Sequence, residues 1–414
     1  MSNSSKPNLW VRYTSKSPIF VTVFSVVLGL VVGALVIIAT SPVILHSWSL
    51  VFSSWGGIFH ALKVTLDNVG AAYRSIFTGS IVDPPQFWHA LTTGKDWTVA
   101  LTPISETLTY TAPLLIASIG VGIAFQAGMF NIGANGQAVM GGIVGTAAGS
   151  MLHLPTVVHV PLTLLAGILG GVIAGIIPGL LKAFTGAHEV IITLMLNYVI
   201  AFFLIYTLLS TALQQPGQQN DVSRYLDPTA QLSPLFGAHS GLRVNWGIII
   251  AGIVVVFAWW FLERSTLGFD FRVTGASPKT AQASGINAKV VIVLVFLISG
   301  GLAGLAGVVQ VSSTTHFLDG GFLVGSAGIG FTAITVSLLG RNNPIGIIWG
   351  SLLFAALNVG GRVMQASTSI PLDLATIIQS VIVLFVATPV LVKGIFRLRV
   401  EHAEAVQLSV KGWS

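Results

Sequence analysis

VGIAFQAGMFNIGANGQAVMGG, residues 121–142, is a long apolar stretch broken at its centre by Asn131, Asn135 and Gln137 among glycines. Backbone rich in glycine and amides is costly in hydrocarbon unless it lies inside protein or lines a cavity. Discontinuous helices near the bilayer midplane are where many carriers place their solute path. The stretch therefore predicts a pore or carrier rather than a simple anchor.

The rest of the chain agrees. Of its 414 residues 53% are hydrophobic and 8% charged, and the mean hydropathy is +0.86. A soluble domain carries about 25% charged residues. The chain reads as an all-α polytopic membrane protein. Its formal charge of +6 does not call for nucleic acid, because Lys and Arg collect on the cytoplasmic side of membrane proteins. There is no cysteine, so disulfides, thiol nucleophiles and Cys-based metal sites are excluded. The first apolar run follows Lys6, Arg12 and Lys16. It is too long for a signal-peptide core and lacks a convincing cleavage site, so it reads as a retained helix.

A spanning helix needs about 20 apolar residues. About ten segments qualify: 19–39, 103–127, 134–152, 160–181, 189–212, 246–262, 290–310, 327–340, 344–361 and 373–392. The segments 134–152 and 327–340 are short and Gly-rich and read equally as half-helices. With the N-terminus inside, ten crossings return the C-terminus inside, and thirteen of the nineteen Lys and Arg residues fall in cytoplasmic segments. The expected organisation is a cytoplasmic tail (1–18), a first helix (19–39), an outer or interfacial segment (40–102) with Trp48, Trp55, Trp88 and Trp97, a membrane domain (103–392) and a cytoplasmic tail (393–414). Within the membrane domain, 213–245 is a polar outer loop and 263–289 the longest internal cytoplasmic one. The second to fifth and seventh to tenth helices form two four-helix sets of opposite starting side, the parity of an inverted repeat. Each set has a Gly-rich interruption after its first helix, at 128–142 and 311–330.

Glycines four apart, Gly141, Gly145 and Gly149, then Gly167, Gly171, Gly175 and Gly179, share helical faces where backbones approach closely. Packing within one subunit accounts for them, with a subunit interface as the alternative.

No G-x-x-x-x-G-K-[ST] is present, so the chain cannot cradle ATP phosphates by itself. Ion coupling usually requires ionisable groups inside helices. The candidates Glu106, Glu189 and Asp373 sit near helix ends, where the macrodipole favours a carboxylate. Polar groups at depth are amides: Asn131, Asn135, Gln137, Asn197 and Asn358. They either find partners within the bundle or offer donors and acceptors to a small neutral polar solute. The nine histidines show no metal-binding pattern, and His153 and His159 read as interfacial. In the loop 263–289, a short helix after Ser277-Pro278 and ended by Gly285 fits the start and stop rules. It is either a knob for a partner's groove or a solvated loop.

FQAGMFNIGANGQ (125–137), HEVIITLMLNYVIA (188–201), RVTGASPKTAQASGIN (272–287), ISGGLAGLAGVVQV (298–311) and GFTAITVSLLGRNNPIG (330–346) resemble the permease subunits of bacterial ABC importers in the ribose/branched-chain amino acid group. The likeness extends over roughly residues 100–395 and is nearest to the nucleoside (guanosine-type) branch. The resemblance implies a multi-pass protein of the bacterial cell membrane that performs no covalent chemistry and binds no cofactor. It implies a second permease, identical or homologous, an external solute-binding lipoprotein, and a cytoplasmic ATPase that uses ATP and Mg. The ATPase would dock on a coupling helix matched by Ser277, Pro278, Lys279, Thr280, Ala281, Ala283 and Gly285. The family usually has Glu where this chain has Asn135.

The expected function is the translocation path of an ATP-driven nucleoside importer. Ribose or another small sugar is the alternative cargo. An ion-coupled carrier, a passive channel and an integral-membrane enzyme are the other classes, and the enzyme lacks a convergent set of titratable residues.

Overall fold

The computed structural model describes residues 18–51, 57–218, 220–237, 240–322, 328–368 and 370–388. The two expected tails, apart from Pro18, lie outside the described residues, as does part of the second Gly-rich interruption (323–327). The described residues are overwhelmingly helical. They contain no strand, only isolated bridges such as Gln214 with Ser223 and Val222 with Asp319.

The helices are α1 (Pro18–Thr40), α2 (Pro42–Ser49), α3 (Gly57–Ser80), α4 (Pro84–Thr93), α5 (Trp97–Gln126), α6 (Ala134–Met151), α7 (Thr156–Thr185), α8 (Glu189–Leu209), α9 (Gly247–Arg264), α10 (Thr266–Ala276), α11 (Pro278–Ala283), α12 (Ala288–Gln310), α13 (Ile329–Leu339), α14 (Pro344–Thr368) and α15 (Asp373–Ala387). Each of the ten apolar segments expected from the sequence contains a helix. Seven helices are long and apolar enough to cross a membrane: α1, α5, α7, α8, α9, α12 with its continuation to Thr315, and α14. The protein is therefore a multi-pass membrane protein. α13 has 11 residues, which at 1.5 Å per residue is roughly half of a 30 Å hydrocarbon core. α6 has the length, but its first turn carries Asn135 and Gln137.

Two compact units are distinguished, residues 1–71 with 370–414, and residues 72–369. In the first, α15 packs along α1, and a Cβ on Gly29 would lie 2.5 Å from Ile382 Cγ1. In the second, α12 is the central helix and lies against α5, α6 and α7. Lipid tails are as apolar as leucine, so helices in a membrane associate through close packing rather than hydrophobic exclusion. The glycine ladders supply that packing within this one chain. A Cβ on Gly171 would overlap Gly300 O, one on Gly141 would overlap Gly304, and one on Gly304 would overlap Gly167 O. Three backbones thus meet with nothing but hydrogen between them.

Of the three helix-end carboxylates expected from the sequence, Glu106 and Glu189 have ion pairs. Lys182 Nζ lies 2.7 Å from Glu189 Oε2 across the α7–α8 turn, and Arg243 Nη1 lies 3.3 Å from Glu106 Oε2. The loop between α8 and α9 is stitched to the segment after α12: Ser223 N–H donates to Leu318 O (2.8 Å), Leu226 N–H to His316 O (2.8 Å) and Leu232 N–H to Ser312 O (3.0 Å).

Candidate translocation path and coupling site

α5 stops at Gly128, whose φ of +71° is the left-handed conformation glycine adopts without strain. Met129 N–H donates to Ala124 O (2.9 Å) and Gly128 N–H to Phe125 O (3.0 Å), the paired bonds of a Schellman cap. The chain then runs irregularly only to Gly133, so the interruption expected over 128–142 is a break confined to 127–133, and Asn135 and Gln137 lie in the first turn of α6 rather than in broken helix.

Three of the predicted amides hold this break together. Asn131, fully buried, donates from Nδ2 to Gln137 Oε1 (2.8 Å) and to Ser299 Oγ on α12 (2.9 Å). Gln137 returns a bond from Nε2 to Asn131 Oδ1 (3.3 Å). Asn197 on α8 spans the start of α6: its Oδ1 accepts from Gly136 N–H (2.9 Å) and its Nδ2 donates to Ile132 O (3.0 Å). The N-cap of α6 is Gly133, which has no side chain to offer. Asn197 therefore satisfies from a neighbouring helix one of the free N–H groups that every helix start exposes. In this conformation these three amides spend their hydrogen bonds on the fold.

Asn135 and Asn358 differ. Asn135, second residue of α6, is 6% exposed, and its carboxamide has no hydrogen-bond partner among the described residues. Asn358 is half-buried on α14 and shares no hydrogen bond with the other four amides among the described residues.

The described end of the second interruption, at the start of α13, meets the start of α6. α12 ends in a π turn, Val311–Thr315, closed by His316 at φ +62°. After the undescribed residues, α13 begins behind Gly328. A Cβ on Gly330 would overlap the backbone nitrogen of Asn135, so the N-terminal ends of α6 and α13 abut. The turn from α13 to α14 has Arg341 and Asn342 at positive φ. It is fixed by Gln126 Nε2 donating to Asn342 O (2.7 Å) and by Ser337 Oγ donating to Asn342 Oδ1 (2.9 Å).

The segment matched to a coupling helix forms the expected short helix, α11. Ser277 is its N-cap and accepts from Thr280 N–H (3.3 Å). Pro278 fills the first helical position, where a missing N–H costs nothing. Gly285 terminates the turn at φ +81°, with Ile286 N–H donating to Ala281 O (3.0 Å). Ala281 is fully buried, while Pro278, Lys279, Thr280, Ala283 and Gly285 are exposed. The result is a small knob seated on one methyl group.

Sequence reasoning missed Ser299, Gly275 and Phe331. Ser299 was findable, being the one polar residue in the middle of an apolar α12. Gly275 carries no such signal; its meaning comes from what it touches, the backbone of Gln126 and Gly128. His159 is buried and bonds Thr229 Oγ1 at 2.7 Å, and among the described residues no three His, Asp or Glu cluster in a way that would hold a metal ion.

The described residues thus make a multi-pass helical protein in which the starts of α6 and α13 abut and a short capped helix stands exposed, an arrangement that suits a membrane permease. Residues 104–387 match the family described as the branched-chain amino acid transport system / permease component, and the chain belongs to that family. It is 28% identical over 375 residues (90% of this chain, 94% of the relative) to the guanosine ABC transporter permease protein NupP of Bacillus subtilis. It is 33% identical over 320 residues (74% and 84%) to the nucleoside ABC transporter permease protein NupB of Lactococcus lactis. It is also 31% identical over 292 residues (69% and 76%) to the glucose ABC transporter permease protein TsgB13 of Haloferax volcanii. No solved structure matches the chain.

Proposed function

We propose that the chain is the permease subunit of an ATP-driven importer and forms the translocation path for nucleosides. The observation that carries this reading is the pair of abutting helix starts at Asn135 and Gly330, joined to family membership and to nucleoside permeases that match most of the chain. The path would run past the break, with Asn135 and Asn358 offering hydrogen bonds and Asn131, Gln137 and Asn197 fixing the geometry.

The remaining parts follow from that reading. Ten crossings, an inverted repeat and both termini in the cytoplasm would place α11 on the cytoplasmic face. There a separate ATPase using ATP and Mg would seat it in a groove. A second permease would complete the path, and an external solute-binding lipoprotein would deliver the cargo. ATP binding would push on Pro278–Ala283, and the solute would be released because its affinity differs between the two states of the bundle, as coupled transport requires. The pairing of Glu106 with Arg243 and of Glu189 with Lys182 supports coupling to ATP rather than to an ion.

Uptake of radiolabelled guanosine and uridine in cells with and without the gene tests this. Loss of uptake on deletion, with competition by unlabelled nucleosides and none by glucose, ribose or leucine, is expected. Unchanged nucleoside uptake in cells without a redundant route would remove the assignment.

A further inference from the structure

We infer that Asn135 and Phe331 form the contact that recognises the base, rather than the sugar, of the transported solute. This rests on the nucleoside reading above. Asn135 is 6% exposed and its carboxamide makes no hydrogen bond among the described residues, whereas Asn131, Gln137 and Asn197 beside it are all bonded, as buried polar groups usually are. Its free group is aimed at the junction of α6 and α13. A methyl on Gly328 would lie 2.8 Å from Asn135 Oδ1 and 2.8 Å from Phe331 Cδ2, so amide and ring are neighbours across a glycine.

Phe331 is 45% exposed, although the residues around it in α13, Ile329, Gly330, Ala333 and Ile334, are buried. Thr332 and Thr335, half-buried, continue that open face. An open aromatic face beside an unpaired amide suits a flat heterocycle: stacking on the ring tolerates any base, and a carboxamide can give and accept one hydrogen bond along a base edge. The abutting starts of α6 and α13 add positive partial charge, which disfavours cations and favours a ring carbonyl. A pentose has no flat face to stack and no edge of adjacent N–H and C=O groups to pair.

The chain has no native cysteine, so Asn135→Cys and Phe331→Cys each introduce a single thiol. In membrane vesicles holding the whole transporter, conversion of each thiol to a mixed disulfide by a small water-soluble methanethiosulfonate, with methanesulfinate leaving, is timed with and without millimolar guanosine, uridine or ribose. Slowing of about tenfold at both positions by either nucleoside, and none by ribose, is expected. Equal slowing by ribose, no slowing by nucleosides, or no thiol modification at either position would overturn the inference while nucleoside uptake by unmodified vesicles stands. Absence of that uptake would instead overturn the functional reading and this inference with it.

Discussion

Gly275 and Gly128 touch backbone to backbone: the Cα of Gly275 lies 3.0 Å from the position a Cβ on Gly128 would take. One belongs to the last turn of α10, two residues before the cap of the exposed knob, and the other ends α5 at the break. No side chain lies between them to absorb movement. A displacement of Pro278–Ala283 would therefore reach the break through main chain alone.

Gly275→Ala should damage that contact directly. The new methyl would overlap Gln126 O, and overpacking of this kind typically costs about 1–3 kcal/mol. The expected outcome is a lower thermal midpoint in detergent and solute uptake reduced more than subunit assembly. Unaltered uptake and midpoint would show that the contact is slack.

Asn197→Ala should destabilise the start of α6 by about 1–2 kcal/mol, because it leaves Gly136 N–H and Ile132 O without partners. Asn197→Asp retains the acceptor for Gly136 N–H and loses the donor to Ile132 O, so its loss should be the smaller for that pair of bonds. Thermal unfolding followed by tryptophan fluorescence compares the two.

Ser277→Ala removes the cap of α11 and should cost about 0.5–1 kcal/mol of local helix stability, while Ser277→Asp should restore it. In the assembled transporter the alanine variant is expected to hydrolyse ATP with weaker stimulation by solute. Identical stimulation in both variants would count against a coupling role for this helix.

Asp227 gives a pH-dependent test on a loop outside the spanning helices. Thr229 N–H (2.9 Å) and then the Thr229 hydroxyl (2.8 Å) donate to its Oδ1, and these bonds hold its carboxyl below the usual carboxylate value. A depressed folded value means the contribution is present above the ordinary carboxylate pKa and lost as pH falls through the folded one. The gap in thermal midpoint between wild type and Thr229→Val should therefore narrow as pH drops from about 5 to about 3. A constant gap would assign the stabilisation to the His159 contact instead.

Much of this fold was readable from apolar length alone, since each expected segment holds a helix. The break at 127–133 was readable because glycine and amides are costly in lipid, and the α11 knob because Ser-Pro and Gly mark a helix start and stop. Other features were not. α5 begins at Trp97, six residues before the apolar run at 103, because its first turns are mixed in polarity. The segment 40–102 holds α2, α3 and α4, whose bounds no long apolar run marks. The partners of the amides were hidden for a different reason: Ser299 is 168 residues from Asn131, and only tertiary packing selects which buried amide is satisfied and which, like Asn135, is left open.

The most direct test is reconstitution. The chain, a second permease and the ATPase are placed in proteoliposomes with the solute-binding lipoprotein outside, and accumulation of labelled guanosine is followed with and without ATP. The account predicts accumulation that requires ATP and every subunit, survives collapse of ion gradients, and persists in Glu106→Gln and Glu189→Gln. Accumulation by this chain alone, driven by a gradient without nucleotide and abolished by either glutamine, would contradict it.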